Sequence, residues 1–105
     1  MIINYFEKHD FIILARHFER YYLYKEKLES NELKLDVATN VKIVVEGIET
    51  IFNNASDEVK KIIKMSWLDK ENDDVICKML GIVQKRLNST RKKLLIDFAE
   101  EIGYV

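Results

Sequence analysis

Apolar residues in this chain recur at alternating steps of three and four, the period of helices that each bury one face. Phe11, Leu14, Phe18, Tyr21, Lys25 and Leu28 mark a first stripe, in which the Lys25 stem lies along the apolar row with its ammonium in water. The pattern predicts a long helix from Asp10, whose carboxylate suits a cap, to about Glu29 or Glu32. Ser30-Asn31 weakens it. Asp36, Thr39 and Asn40 then offer caps for a second helix carrying Val41, Val44, Val45, Ile48, Ile51 and Phe52. Gly47 lies among these apolar positions and costs about 1 kcal/mol relative to alanine, so close packing of a neighbouring helix is expected there. Ser56, with Asp57 and Glu58 behind it, opens a third helix that buries Val59, Ile62, Ile63 and Trp67.

Asn72 caps a fourth helix with Asp73 and Asp74 in its first turn and Val75, Ile76, Met79 and Leu80 as its expected buried positions. Gly81 follows where the backbone should turn left-handed. A final helix, about Val83 to Ile102, aligns Val83, Leu87, Thr90, Leu94, Phe98 and Ile102 inward. Its first half points Lys85, Ser89 and Lys92 outward, flanked by Arg86, Asn88 and Lys93. The expected fold is therefore all-α, one compact bundle of about five helices with a C-terminal helix-turn-helix. Residues 1–35 would form an aromatic N-terminal helix and 41–105 the part holding the helix-turn-helix.

Composition narrows the function. The 105 residues suffice for one core, and the absence of proline with only three glycines leaves little room for long loops. Cys77 is the single cysteine and has no intramolecular partner, which fits a reducing cytoplasmic interior and a small core residue at a helix contact. The apolar start Met1-Ile2-Ile3-Asn4-Tyr5-Phe6 is interrupted by Glu7, Lys8, His9 and Asp10, too early for an export signal or a membrane span. His9 and His17 are badly spaced for one metal, so solvated histidines are expected. Asp69 to Asp74 imitates the opening of a calcium loop but has Asp74 in place of the turn glycine and Leu80 in place of the closing glutamate. No metal or cofactor is expected. Neither a phosphate loop nor a nucleophile elbow nor an acid/base constellation is present, so an enzyme is not expected.

Charge carries more information locally than in total. The net charge of −1 argues against a nonspecific DNA packager. Between Gln84 and Lys93, however, there are five cations (Lys85, Arg86, Arg91, Lys92, Lys93) and no acid, whereas Asp69, Glu71, Asp73 and Asp74 face only Lys70 in the segment before. Gln84 and Asn88 have the chemistry to read adenine edges, Lys85 or Arg86 guanine edges, and Arg91, Lys92 and Lys93 phosphates, with Ser89 on the same surface. Asp97, Glu100 and Glu101 would repel phosphates, so contacts with double-stranded DNA are expected in the helix's first half.

Asp73 to Lys92 fits the general helix-turn-helix pattern: Ile76, Leu80, Ile82 and Leu87 take its apolar sites, Gly81 its turn glycine and Cys77 its small-residue site. Thr90 is more polar than the pattern's usual aliphatic. With the ending Phe98-Ala99-Glu100-Glu101-Ile102-Gly103, the stretch from Val41 to Val105 resembles phage transcriptional regulators of the ArpU and RinA type, which are similar to the promoter-reading C-terminal domain of sigma factors. The resemblance implies sequence-specific binding of promoter DNA and contact with RNA polymerase, for control of phage or mobile-element genes. Val83 departs from it, standing where a capping serine or threonine is usual, and Leu87 and Asn88 replace frequent aromatics. A missing cap costs about 1 kcal/mol. The alternative from another class is a small helical protein-interaction module, a phage-encoded inhibitor or adaptor that has lost DNA binding. Tyr21, Tyr22 and Tyr24 would serve it, or a homodimer through the N-terminal helix, if they are not ordinary core.

Overall fold

The computed structural model describes residues 6–104; the apolar start Met1 to Tyr5 and Val105 lie outside the described residues. Six α-helices follow one another among them: α1 (Lys8–Glu19), α2 (Tyr21–Glu29), α3 (Leu35–Asn53), α4 (Asp57–Ile63), α5 (Asp73–Leu80) and α6 (Gln84–Glu101). A single π-helical turn, Lys64–Leu68, extends α4. No strand occurs among the described residues, and no helix is long and apolar enough to cross a membrane.

The helix starts follow from side chains that satisfy free N–H groups. Ser56 Oγ accepts from Val59 N–H at 3.3 Å, and Asn72 Oδ1 from Val75 N–H at 3.2 Å. Asp10 is not the cap of the first helix. It sits one turn inside, where Oδ2 accepts from Glu7 N–H at 2.9 Å and Oδ1 accepts from the Tyr104 hydroxyl at 2.6 Å. Asp10 thereby ties the beginning of the described chain to its end. The hydrogen bond from the Glu7 backbone, with that from Tyr104, holds its carboxyl below the ordinary range.

The expected long first helix is two helices, which raises the count from about five to six. The chain leaves helical geometry at Arg20 (φ −99°, ψ 9°) and resumes at Tyr21. Apolar periodicity runs through this break because both helices need an inward stripe, so spacing alone does not reveal it. α1 packs on α6 and on the π turn, whereas α2 packs chiefly on α3. α3 begins at Leu35, ahead of the expected start, and packs on α2 and on α6.

Leu14 and Phe18 of α1 enter one core with Ile48, Ile62, Ile63, Trp67, Ile76, Leu87, Leu94, Leu95, Phe98 and Ala99. Its centre is aromatic. The Phe18 ring lies 4.5 Å from Trp67 and 4.8 Å from Phe98, centroid to centroid. His17, expected in water, is half-buried and pairs through Nδ1 with the Tyr24 hydroxyl at 3.0 Å. Burial, reinforced by Arg20, lowers its pKa. Tyr21 is also half-buried and donates to Glu49 Oε2 at 2.6 Å; burial and that acceptor push its pKa up to about 12. Tyr22, by contrast, is exposed.

Gly47 performs the expected close approach. A Cβ there would run into Ile102 Cγ2 and lie 3.2 Å from Phe98 Cε1, so the end of α6 rests on bare backbone of α3. Gly47→Val should therefore cost about 1–3 kcal/mol, the usual effect of overpacking. Urea titration followed by Trp67 fluorescence measures it, and a variant as stable as the parent would contradict this packing.

Candidate nucleic-acid interface

α5 and α6 are joined by three residues, Gly81, Ile82 and Val83. Gly81 adopts φ 66° and ψ 37°, left-handed geometry that suits a residue without a Cβ, and Ile82 N–H closes the end of α5 on the Cys77 carbonyl at 3.1 Å. Ile82 is half-buried beside the core while Val83 is exposed. Val83 provides no side-chain cap; α6 starts with Leu87 N–H donating to the Val83 carbonyl at 3.1 Å.

The inward face of α5 differs from the expected one. Ile76 is buried and Cys77 and Leu80 are half-buried against the core, but Val75 and Met79 are exposed, Met79 to 69%. An eight-residue helix that packs chiefly on α6 and the π turn covers one narrow side. Asp73 lies three residues before Ile76 and four before Cys77, hence on that same inward side, and it faces α6.

Along α6, Leu87, Leu94, Leu95, Phe98 and Ala99 are buried, which turns Gln84, Lys85, Arg86, Asn88, Ser89, Lys92 and Lys93 out to solvent. Arg91 is the exception in the predicted DNA-binding set. Only 20% of its side chain is exposed, and it makes a forked pair with Asp73: Nη1 to Oδ1 at 2.9 Å and Nη2 to Oδ2 at 2.8 Å. It clasps α5 to α6. Arg91, followed by desolvation and by Gln84, sets the Asp73 pKa, and the balance is downward.

Other cations of the run also have intramolecular partners. Arg86 donates to Glu58 Oε1 of α4 at 2.7 Å, Lys93 meets Asp97 at 3.0 Å one turn along, and the Lys92 ammonium lies 5.6 Å from the centre of the Phe11 ring. The pairs of Arg86 and Lys93 are largely solvent-exposed. Exposed pairs contribute about 0–1 kcal/mol each, so either cation is readily surrendered to a competing anion. The fork at Arg91 is the costlier one to open. Among the described residues, Lys85 has no ion pair.

Two amides complete the surface. Gln84 Nε2 donates to Asp73 Oδ2 at 2.8 Å and to Asn88 Oδ1 at 3.0 Å, and Arg91 Nη2 donates to the same Asn88 oxygen at 3.0 Å. Asp73 and Glu58 were absent from the expected site. Asp73 was legible as an inward position of α5, given the correct face; Glu58 comes from α4, 28 residues away along the chain, and no local pattern pairs it with Arg86. No group of three or more His, Cys, Asp or Glu side chains among the described residues has a metal-binding arrangement.

Val83→Ser should raise stability by about 1 kcal/mol, since it supplies the missing cap at an exposed position; the thermal midpoint by circular dichroism checks this. The Asp73–Arg91 clasp has a defined pH dependence. Because the folded pKa is below the ordinary value of 3.8, its contribution is complete above that value and disappears as pH falls through the lower one. The stability deficit of Arg91→Ala relative to the parent should accordingly shrink in acid, as measured by urea midpoints across pH. No family model, curated protein or solved structure matches this chain.

Proposed function

We propose that this chain is a sequence-specific DNA-binding transcriptional regulator, working in the cytoplasm at promoters of phage or mobile-element genes, in the manner of the ArpU and RinA regulators it resembles. α5, the Gly81 turn and α6 serve as its helix-turn-helix, with the first half of α6 in the major groove. The observation that carries this reading is the three-residue link with left-handed Gly81 between two packed helices, the second of which exposes Gln84, Lys85, Arg86, Asn88 and Ser89 at its leading end. Lys85 and Arg86 meet phosphates or guanine, Lys92 and Lys93 follow the backbone, and Arg91 holds the two helices in register. RNA polymerase beside the promoter is the natural second partner, and self-association through the N-terminal helices would pair two half-sites.

The protein-interaction reading has its own support. Arg86, Arg91 and Lys93 are paired with acids of the same chain, which lowers the field available to a phosphate backbone. Val75 and Met79 of α5 and Val83 of the turn are also exposed apolar residues. On this reading the surface docks a protein partner without DNA.

Fluorescence anisotropy with duplexes from around the gene, at about 50 and 200 mM salt, separates the two. Binding should weaken steeply with salt, and Lys85→Ala with Arg86→Ala should weaken it further. The double variant should also flatten the log–log salt slope by roughly 0.9 for each of the two cations that meets a phosphate. No binding at the lower salt by a folded parent protein rejects the regulator and favours the interaction module.

A further inference from the structure

Around Asp73 the direction of every hydrogen bond is dictated by chemistry. A carboxylate only accepts and a guanidinium only donates. The end of Gln84 that lies 2.8 Å from Asp73 Oδ2 is therefore its NH2 group, and the end of Asn88 that lies 3.0 Å from Arg91 Nη2 is its carbonyl. The two amides also agree with each other, since Gln84 Nε2 donates to Asn88 Oδ1 at 3.0 Å. A flip of either amide would set donor against donor or acceptor against acceptor. Both protons of Gln84 Nε2 are used internally, so its Oε1 is left as the outward group. For Asn88, whose oxygen already takes two bonds, the outward group is Nδ2.

An unrestrained Gln or Asn offers an acceptor and a donor together and pairs bidentately with adenine N6 and N7. This pair is not unrestrained. We infer that Asp73 is a positioning residue for base recognition, orienting Gln84 and Asn88 so that α6 presents a carbonyl at 84 and an N–H donor at 88 to successive base pairs. A lone acceptor at Gln84 selects the exocyclic amines of adenine or cytosine; a lone donor at Asn88 selects guanine N7 and O6, adenine N7 or thymine O4, and discriminates against cytosine. Arg91 takes part through both carboxylate oxygens, sharing Oδ2 with Gln84: while Asp73 holds it, it is withheld from the DNA backbone. The inference rests on the DNA-reading proposal and refines what that surface reads.

The test is selection of bound duplexes from a pool with a randomised centre, using the full chain, followed by anisotropy on the enriched sequence. The parent should enrich a site with adenine or cytosine at one position, next to a position poor in cytosine. Asp73→Asn should lose this pattern in favour of adenine or no preference, with discrimination at the first position falling about tenfold. Nonspecific affinity should meanwhile rise, and the salt slope steepen by about 0.9, because Arg91 is released to a phosphate. Loss of structure would move affinity the other way. Asp73→Glu, which restores the carboxylate, should recover the parental pattern. Gln84→Met, at an exposed position that does not hold the fold together, should abolish the adenine-or-cytosine preference even if Asp73→Asn proves unstable. A parent that enriches no sequence overturns the DNA reading and this inference with it. A parent that does enrich a sequence, with the same sequence and salt slope for Asp73→Asn or the same preference for Gln84→Met, overturns the inference alone.

Discussion

The structure depends on the burial of Phe18 between Trp67 and Phe98, at ring separations of 4.5 and 4.8 Å. These three residues come from α1, from the π turn behind α4, and from α6. No two of their elements are neighbours in the chain, so the aromatic contact fixes how distant segments meet. Fully burying a side chain of this size contributes about 1.5–3 kcal/mol, a large share of the marginal net stability of a small domain. α6 is the common packing partner of the fold: α1, α3, α4 and α5 all pack on it. Four of its five buried residues, Leu94, Leu95, Phe98 and Ala99, lie in its second half, and Leu87 alone in its first. The exposed surface of Gln84 to Ser89 thus follows from where the aromatic cluster lies along the helix.

A second consequence concerns charge. The acids before α5 and the cations of α6 look like separate blocks along the chain, yet the fold brings Asp73 to Arg91 and Glu58 to Arg86. A carboxylate at a helix N-terminus would commonly serve the helix dipole alone. Here the Asp73 carboxylate also holds a guanidinium and an amide of the next helix, so one side chain lies in the first turn of α5 and links that helix to α6. The remaining polarisation is milder than the linear sequence suggests, because Arg86, Arg91 and Lys93 are each paired with an acid of the same chain.

Helical content, the caps Ser56 and Asn72, the left-handed Gly81, the close approach at Gly47 and the burial of Leu87, Leu94 and Phe98 were all determined by the sequence itself. The caps and the left-handed turn depend on interactions within one or two turns, while the buried positions and Gly47 are marked by the apolar spacing of an inward face, whatever neighbour covers it. The break at Arg20, the exposure of Val75 and Met79, the half-burial of His17 and the recruitment of Arg91 into a clasp were decided by the assembled fold. They depend on which neighbour covers a helix and from which side. Periodicity reports that a helix has an apolar face, but a partner chosen from elsewhere in the chain determines how much of that face is covered and which charges it meets.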